Sequence, residues 1–313
     1  ETLDSLKIAK GVLVSIKKSQ TKLFSAKREV ILCAGSIGSP QILQLSGIAD
    51  KSLLDKIGIP LIHELKGVGE NLHDHLQIRS VYQVQNTVTL NQRVNSIFGK
   101  IKMGLEYFVF KTGPLTMPPS QLGAFAKSDP SQPTANMEWH VQPLSLDKFG
   151  DPLHTFNAIT PAVCNLRPTS RGYVRIKSND SNEYPSIKLN YLSTPEDEKI
   201  AVLGLKFTRK IMSASALKKF QPKEILPGEK IESDKDLLDA ARNLGTTIFH
   251  PVGTCKMGSD LLSVVNDRLQ VHGIKNLRVV DASIMPRITS GNTNAPTVMI
   301  AEKGAEFIIN NKV

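Results

Sequence analysis

His250 stands immediately before Pro251 in the stretch FHPVGTCKMG, with Gly253 close behind. A neutral imidazole can take a proton near neutral pH, since the unperturbed group titrates near ~6.5. Proline fixes its own φ and removes a donor, and glycine lets the backbone approach a neighbour closely. Those surroundings suit a base that must hold one place. They suit equally a histidine that merely ends a strand. A second stretch, SGNTNAPT at 290–297, puts Asn292 just ahead of a helix start. Its amide can donate or accept a hydrogen bond but cannot act as a base. The helix start itself, with free N–H groups and partial positive charge, can hold an anion or a developing negative charge. An ordinary asparagine-rich cap would read the same way.

Two further clusters bear on chemistry. NLHDHL at 71–76 carries His73 and His75 around Asp74. Such a pair can bind metal, and on a strand both rings would share one face. No third ligand has useful spacing, so a structural role is the better reading and no metal is expected. CAGSIGSP at 33–40 is glycine-rich and follows a strand-like run. It could serve a phosphate, but it is not G-x-G-x-x-G.

The elements that would position these groups follow an α/β order. The chain has 313 residues, enough for one large domain or two smaller ones. GVLVSIK at 11–17 alternates like a strand, and REVILCAGS is a short apolar strand ending at Gly35. SPQILQLSG then offers Ser39 as N-cap, Pro40 at the first helical position and Gly47 as stop. A short helix around Leu53 to Ile57 ends at Gly58, and IPLIH reads as a strand. From about 79 to 245 prolines are frequent, and YVRIKS and SIKLNYL look like antiparallel strands with one wet face. PEDEKIAVLGLKFTRKIM has acids early, cations late and apolar residues at Ile200, Leu203 and Phe207, which predicts a helix. The tail returns to α/β texture. NLRVVDAS is a strand ending at Asp281, and a helix capped by Asn294 buries Val298, Ala301, Ala305 and Ile308.

Composition narrows the function classes. Lys plus Arg is 39 against 29 for Asp plus Glu, a net charge of +10. The charges are dispersed, with no basic stripe and no interleaved aromatics, so nucleic acid is not expected as a partner. Three cysteines far apart support neither a disulfide framework nor a zinc site. Residues 30–49 carry no charge, but their glycines, serines and glutamines fit a strand and helix better than a membrane span, and no transmembrane segment is expected. The chain begins at Glu1 with no signal-peptide pattern, so the natural N-terminus is expected to lie upstream.

Several of these stretches, in this order, resemble the glucose-methanol-choline (GMC) family of flavin oxidoreductases. They are REVILCAGSIGSPQILQLSGI, GVGENLHDH, RGYVRIKS with YPSIKLNYLSTPEDEK, and the long run from FHPVGTCKMG through NLRVVDASIMPRITSGNTNAPTVMIAEKGAEFI. The resemblance extends from about residue 11 to the end. A glycine is usual after SGI, and Ala49 stands here. Among family members, insect glucose dehydrogenases that use FAD and a quinone-type acceptor look most alike, and they make an extracellular location the expectation.

The resemblance implies an α/β fold of α+β composite type. An incomplete FAD-binding Rossmann-like domain at 1–78 and 246–313 would join an antiparallel-sheet substrate domain at 79–245. It implies that His250 is the active-site base and that Asn292 hydrogen-bonds the substrate hydroxyl. Asp281 and Ala282 would lie along FAD, with Asn294, Ala295, Pro296 and Thr297 near the flavin pyrimidine edge. Ala34 and Gly35 would pack against the adenosine and pyrophosphate half. A helix N-terminus aimed at reduced flavin would stabilise its negative charge. The implied substrate is a sugar or other small alcohol. The family's N-terminal G-x-G-x-x-G unit is not found in 1–313. By itself this stretch is therefore expected to bind FAD weakly and to expose apolar surface. A non-catalytic remnant is the alternative.

Overall fold

A computed structural model describes residues 7–16 and 20–310. The first stretch holds β1 (Gly11–Ile16), β2 (Gln20–Ser25), β3 (Val30–Leu32), α1 (Gly35–Leu45), β4 (Ile48–Ala49), α2 (Lys51–Ile57) and β5 (His63–Glu64). Next come β6 (Leu76–Arg79), β7 (Val81–Gln83), α3 (Leu90–Asn95), α4 (Ile97–Phe110), β8 (Leu122–Ala126), β9 (Met137–Gln142) and β10 (Ala158–Asn165). The remainder is β11 (Tyr173–Arg175), β12 (Ser186–Lys188), α5 (Pro195–Met212), β13 (Lys223–Leu226), α6 (Asp234–Leu244), β14 (Gly245–Thr247), β15 (Leu277–Val279) and α7 (Asn294–Asn310). The mixed α/β class matches the expectation.

The chain divides into two compact units. One comprises the stretch ending at Asp74, Ser170–Tyr191 and the stretch from Phe249 onward; the other comprises His75–Thr169 and Leu192–Ile248. The boundaries expected after 78 and 245 thus fall after Asp74 and Ile248. The larger difference is 170–191, which was expected in the antiparallel middle. It forms a hairpin, β11 with β12, but belongs to the first unit. Gln44 of α1 explains why. Its amide donates to Val174 O at 2.8 Å and accepts from Ile176 N at 2.9 Å, so one buried side chain holds both a carbonyl and an N–H along the first arm of the hairpin.

In the first unit β3 pairs in parallel with β15, and β4 with β5. The strand expected over IPLIH is reduced to His63–Glu64. The core gathers Val30 and Leu32 of β3, Leu43 of α1, Val252 and Cys255, Val279 of β15 and Ile300 of α7. Helix α1 begins earlier than expected. Gly35 is its first residue, Ser39 lies inside it and Pro40 occupies the interior. Proline has no N–H for the carbonyl four residues back, which is Ser36 O. That carbonyl instead accepts the Thr254 hydroxyl at 2.7 Å. The proline thereby frees a backbone acceptor that ties α1 to the segment after His250.

Helix α7 starts at Asn294, so Thr293 takes the cap position, its carbonyl accepting Thr297 N at 3.0 Å. Its buried residues are Ile300 and Gly304, with Phe307 packed against the core. The expected face is not the one used: Val298, Ala301 and Ala305 are exposed and Ile308 is half-buried. The helix is apolar on several sides, so periodicity does not select one. Gly304 does, because a Cβ there would lie 2.4 Å from Val280 Cγ1, and only a glycine lets the helix settle that close. Val298 and Met299 are 53% and 55% exposed.

The second unit is an antiparallel sheet under two helices. β8, β9 and β10 run side by side; β6 and β7 share the far edge of β10, and β14 and β13 pair onto them. Strand β9 alternates cleanly. Met137 and Trp139 pack with Ile78 and Val163 against Ile200 and Leu205 of α5 and Leu237 and Ala241 of α6. Glu138, His140 and Gln142 take the opposite face. Helix α5 has the expected bounds, with Thr194 capping Asp197 N, three acids in its first turn and Arg209 and Lys210 in its last. Trp139 Nε1 donates to Thr208 Oγ1 at 2.8 Å, which satisfies the buried indole. Among the described residues no helix is long and apolar enough to cross a membrane.

The tie between Pro40 and Thr254 gives a stability prediction. Thr254→Val should destabilise the chain by about 1–3 kcal/mol, because Ser36 O is left buried without a donor. Adding Pro40→Ala restores an N–H to that carbonyl and should recover part of the loss. Urea unfolding midpoints of the two single variants and the double variant would show it; strictly additive losses would contradict it.

Candidate active site

The half-buried His250 is positioned through its backbone. Asp74 Oδ1 accepts His250 N at 2.9 Å, and Tyr191 donates its hydroxyl to Asp74 Oδ2. The following carbonyl, Pro251 O, accepts Ser36 Oγ at 2.7 Å. Val252 then exchanges both backbone bonds with His73, at 2.9 and 3.2 Å. The chain on either side of the imidazole is therefore held by α1 and by residues 71–74. Phe249, just before it, adopts φ 64° and is exposed, so the approach to His250 is a sharp left-handed turn.

Gly253 has a different role from the one its position first implies. Its φ is +96°, and a Cβ would lie 2.6 Å from Asn71 O and 2.7 Å from His73 Cε1. The close approach it permits is to the chain's own 71–73 segment. His73 is buried and locked. Its Nδ1 lies 2.6 Å from Asn71 O, so it donates there, and its Nε2 accepts Ile288 N at 2.9 Å. His73 thus fixes the segment after His250 through its backbone and the loop leading to Asn292 through its ring. His75 Nε2 bonds Leu166 O at 3.2 Å in the second unit. Both rings of the His-x-His pair are used in backbone support, as expected.

The two predicted catalytic side chains meet. Asn292 Nδ2 lies 3.5 Å from His250 Nε2, at the outer limit of a hydrogen bond. A donor and a ring nitrogen thus share one long hydrogen bond. Asn292 is exposed, and it precedes α7 by one residue. Asn294 and Ala295, in the first turn of that helix, are also exposed, while Pro296 and Thr297 are half-buried.

Of the other predicted residues Asp281 is buried, Gly35 and Ala282 are half-buried and Ala34 is exposed. Asp281 caps the short turn after β15, its Oδ1 accepting Ser283 N at 2.8 Å, and its Oδ2 accepts Gly35 N at 2.9 Å and Ser39 Oγ at 2.6 Å. Ala34 N donates to Ser39 Oγ at 3.1 Å. The donors at 34 and 35 are therefore engaged within the unit, and Asp281 is a positioning residue that joins the end of β15 to the start of α1. Ala282 is half-buried in the turn that Asp281 caps. Burial, with a smaller contribution from the Asp281 charge, raises the Cys33 thiol above its ordinary range. Burial does the same to Cys255.

Sequence profiles described as GMC oxidoreductase match residues 3–77 and 168–301. The chain belongs to the GMC oxidoreductase family. It is 42% identical over 283 residues to an oxygen-dependent choline dehydrogenase of Citrobacter koseri, covering 90% of this chain and 50% of that protein. A Pectobacterium carotovorum protein of the same description is 40% identical over 292 residues, covering 93% and 52%. The chain thus spans about half the length of these curated relatives. Among solved structures, formate oxidase of Aspergillus oryzae superposes with a TM-score of 0.89 at 26% identity, covering 96% of this chain and 57% of that one. Pyridoxine 4-oxidase from Mesorbium loti gives 0.84 at 26%, covering 98% and 56%.

The family and its structural neighbours imply FAD as cofactor. The residues fit such a group. The first turn of α7 presents exposed backbone beside Asn292, and the opening N–H groups of a helix have no carbonyl of their own to bind. Gly35 has nothing within 4 Å of a would-be Cβ, leaving open space past the ends of parallel strands β3 and β15. Nucleotides dock at that end of a parallel sheet.

Glycine substitutions separate the two turns. Gly253→Ala combines a left-handed φ with contacts at 2.6 and 2.7 Å, and should cost about 3 kcal/mol or more. Gly35→Ala has a comparable φ of +73° but open space, and should cost about 1–2 kcal/mol. Denaturation midpoints would show the order; equal losses would mean that segment 71–73 does not pack against Gly253.

Proposed function

We propose that the protein to which this chain belongs oxidises the CH–OH group of a sugar or other small alcohol and passes the electrons, through FAD, to a quinone-type acceptor. The observation that carries this reading is the pairing of His250 Nε2 with Asn292 Nδ2 at 3.5 Å. A substrate hydroxyl is both donor and acceptor. It can donate to the ring nitrogen and accept from the amide at once, entering between two groups that share one long hydrogen bond.

His250 Nε2, neutral, accepts the hydroxyl proton. Asn292 holds the oxygen as negative charge grows on it, an interaction that strengthens toward the transition state. The clamp on the His250 backbone keeps the ring from following the proton, so the geometry is set before substrate arrives. Bound FAD would supply the acceptor for the carbinol hydrogen and its electron pair. The family membership supports this chemistry. The relatives described as choline dehydrogenases support an alcohol as substrate, and the resemblance to insect glucose dehydrogenases supports a sugar and a quinone.

With the flavin bound, His250→Ala should slow its reduction by alcohol by roughly 10²–10⁴ while the flavin absorbance spectrum persists. Asn292→Ala should cost less, about 1.5–3 kcal/mol in the same step. Stopped-flow reduction under anaerobic conditions measures both. Native-rate reduction by His250→Ala would remove the assignment.

A further inference from the structure

The second unit contains a buried arginine with an empty fork. Arg79, at the end of β6, is 6% exposed, yet its Nε and Nη2 have no hydrogen-bond partner. These two atoms form one edge of the guanidinium, the edge that takes a carboxylate through two parallel bonds. Two other arginines, the half-buried Arg209 and the buried Arg278, use that edge. Arg209 places Nε and Nη2 on Glu224 Oε2 and Oε1, each at 2.8 Å, and Arg278 places Nε on Glu29. Leaving the same edge bare in a buried site is costly, and burial depresses the Arg79 pKa accordingly.

The surroundings of Arg79 are shaped for a ligand. Its plane is held over the Phe149 ring, 4.5 Å from the centroid. On the sheet, Arg79 lies opposite Ala162 of β10, and Ala162 lies opposite His140 of β9. The small alanine separates two long polar side chains on one face. In the next row of that face, Glu138 lies opposite Cys164. Glu138 is 2% exposed, and its Oε2 also lacks a partner. Its Oε1 is 3.2 Å from His140 Nε2, within ion-pair distance but outside hydrogen-bond geometry. Glu138, His140 and Cys164 bring ligand-type atoms within 4.8 Å of one another, an arrangement that could hold a cation. The Arg79 charge on the same face opposes a cation and favours an anion.

We propose that the Nε/Nη2 edge of Arg79 binds the carboxylate of a small hydroxy acid, with a hydroxyl of the same molecule donating to Glu138 Oε2. A donor fork and a lone acceptor on one face call for a ligand that carries a carboxylate at one end and a hydroxyl at the other. A quaternary ammonium such as choline has the wrong charge for this fork. The site lies wholly within the second unit and stands independently of the roles given to His250 and Asn292, so its test needs no turnover.

Titration calorimetry of the purified protein with lactate, glycerate and gluconate, beside glucose and choline, tests the site. At least one of the three acids should bind saturably, one per chain, and neither glucose nor choline should displace it. Arg79→Lys keeps the charge but loses the fork, and should weaken that acid about tenfold or more. Arg79→Met should abolish binding and raise the unfolding temperature of the ligand-free protein, since an unpaired buried charge is replaced by an apolar chain. Glu138→Gln should weaken the acid without abolishing its binding. The proposal is overturned if none of the acids binds, or if Arg79→Met binds the acid as tightly as the native protein. It is also overturned if Arg79→Met lowers the unfolding temperature, which would show Arg79 paired within the protein.

Discussion

The Asp74 carboxylate holds the His250 backbone, and the rest of the candidate site depends on that bond. A charged acceptor on an N–H makes a stronger bond than a neutral one, and Tyr191 shares the same carboxylate. The residue before it, His73, ties down Val252 on one side and Ile288 on the other. Two adjacent residues thus fix the segment that carries the imidazole and the loop that leads to the amide. The arrangement spends backbone and carboxylate groups on support, and in the proposed reaction His250 Nε2 and Asn292 Nδ2 would face the substrate.

The start of α1 reinforces this clamp by breaking a helix rule. An internal proline ordinarily weakens a helix by orphaning a carbonyl. Here the orphan, Ser36 O, receives the Thr254 hydroxyl, while Ser36 Oγ holds Pro251 O. Asp281 closes the other side by capping its own turn and bonding Gly35 and Ser39. Residues that touch no substrate therefore decide where the reactive ones point. Such supporting groups are what preorganise a site.

Much of this could be read from the sequence, and the parts that could not have physical causes. His250 and Asn292 were legible through the family resemblance, since the proline, glycine and helix start around them suit a structural role equally. Helix α5 was legible because its caps, end charges and periodicity agree. The start of α1 was misread because Ser-Pro is the usual opening of a helix, and only the distant Thr254 makes the internal proline tolerable. The buried face of α7 was misread because its apolar residues run all round, so the choice rests on Gly304 meeting Val280. The hairpin β11–β12 has the pattern of any wet-faced antiparallel pair, and nothing local says that Gln44, 130 residues away from Val174, will claim it. Arg79 carries no local signal, since its character comes from what its neighbouring strands omit.

The account's central claim is that His250 and Asn292 act on one shared oxygen. A double-mutant cycle on kcat/KM for alcohol oxidation, with His250→Ala, Asn292→Ala and the pair combined, measures that sharing directly. Two groups that hold the same atom should show a coupling of about 1 kcal/mol or more, the double variant losing less than the two single losses added together. Additive losses would mean that the imidazole and the amide work at separate places, and the account would fail.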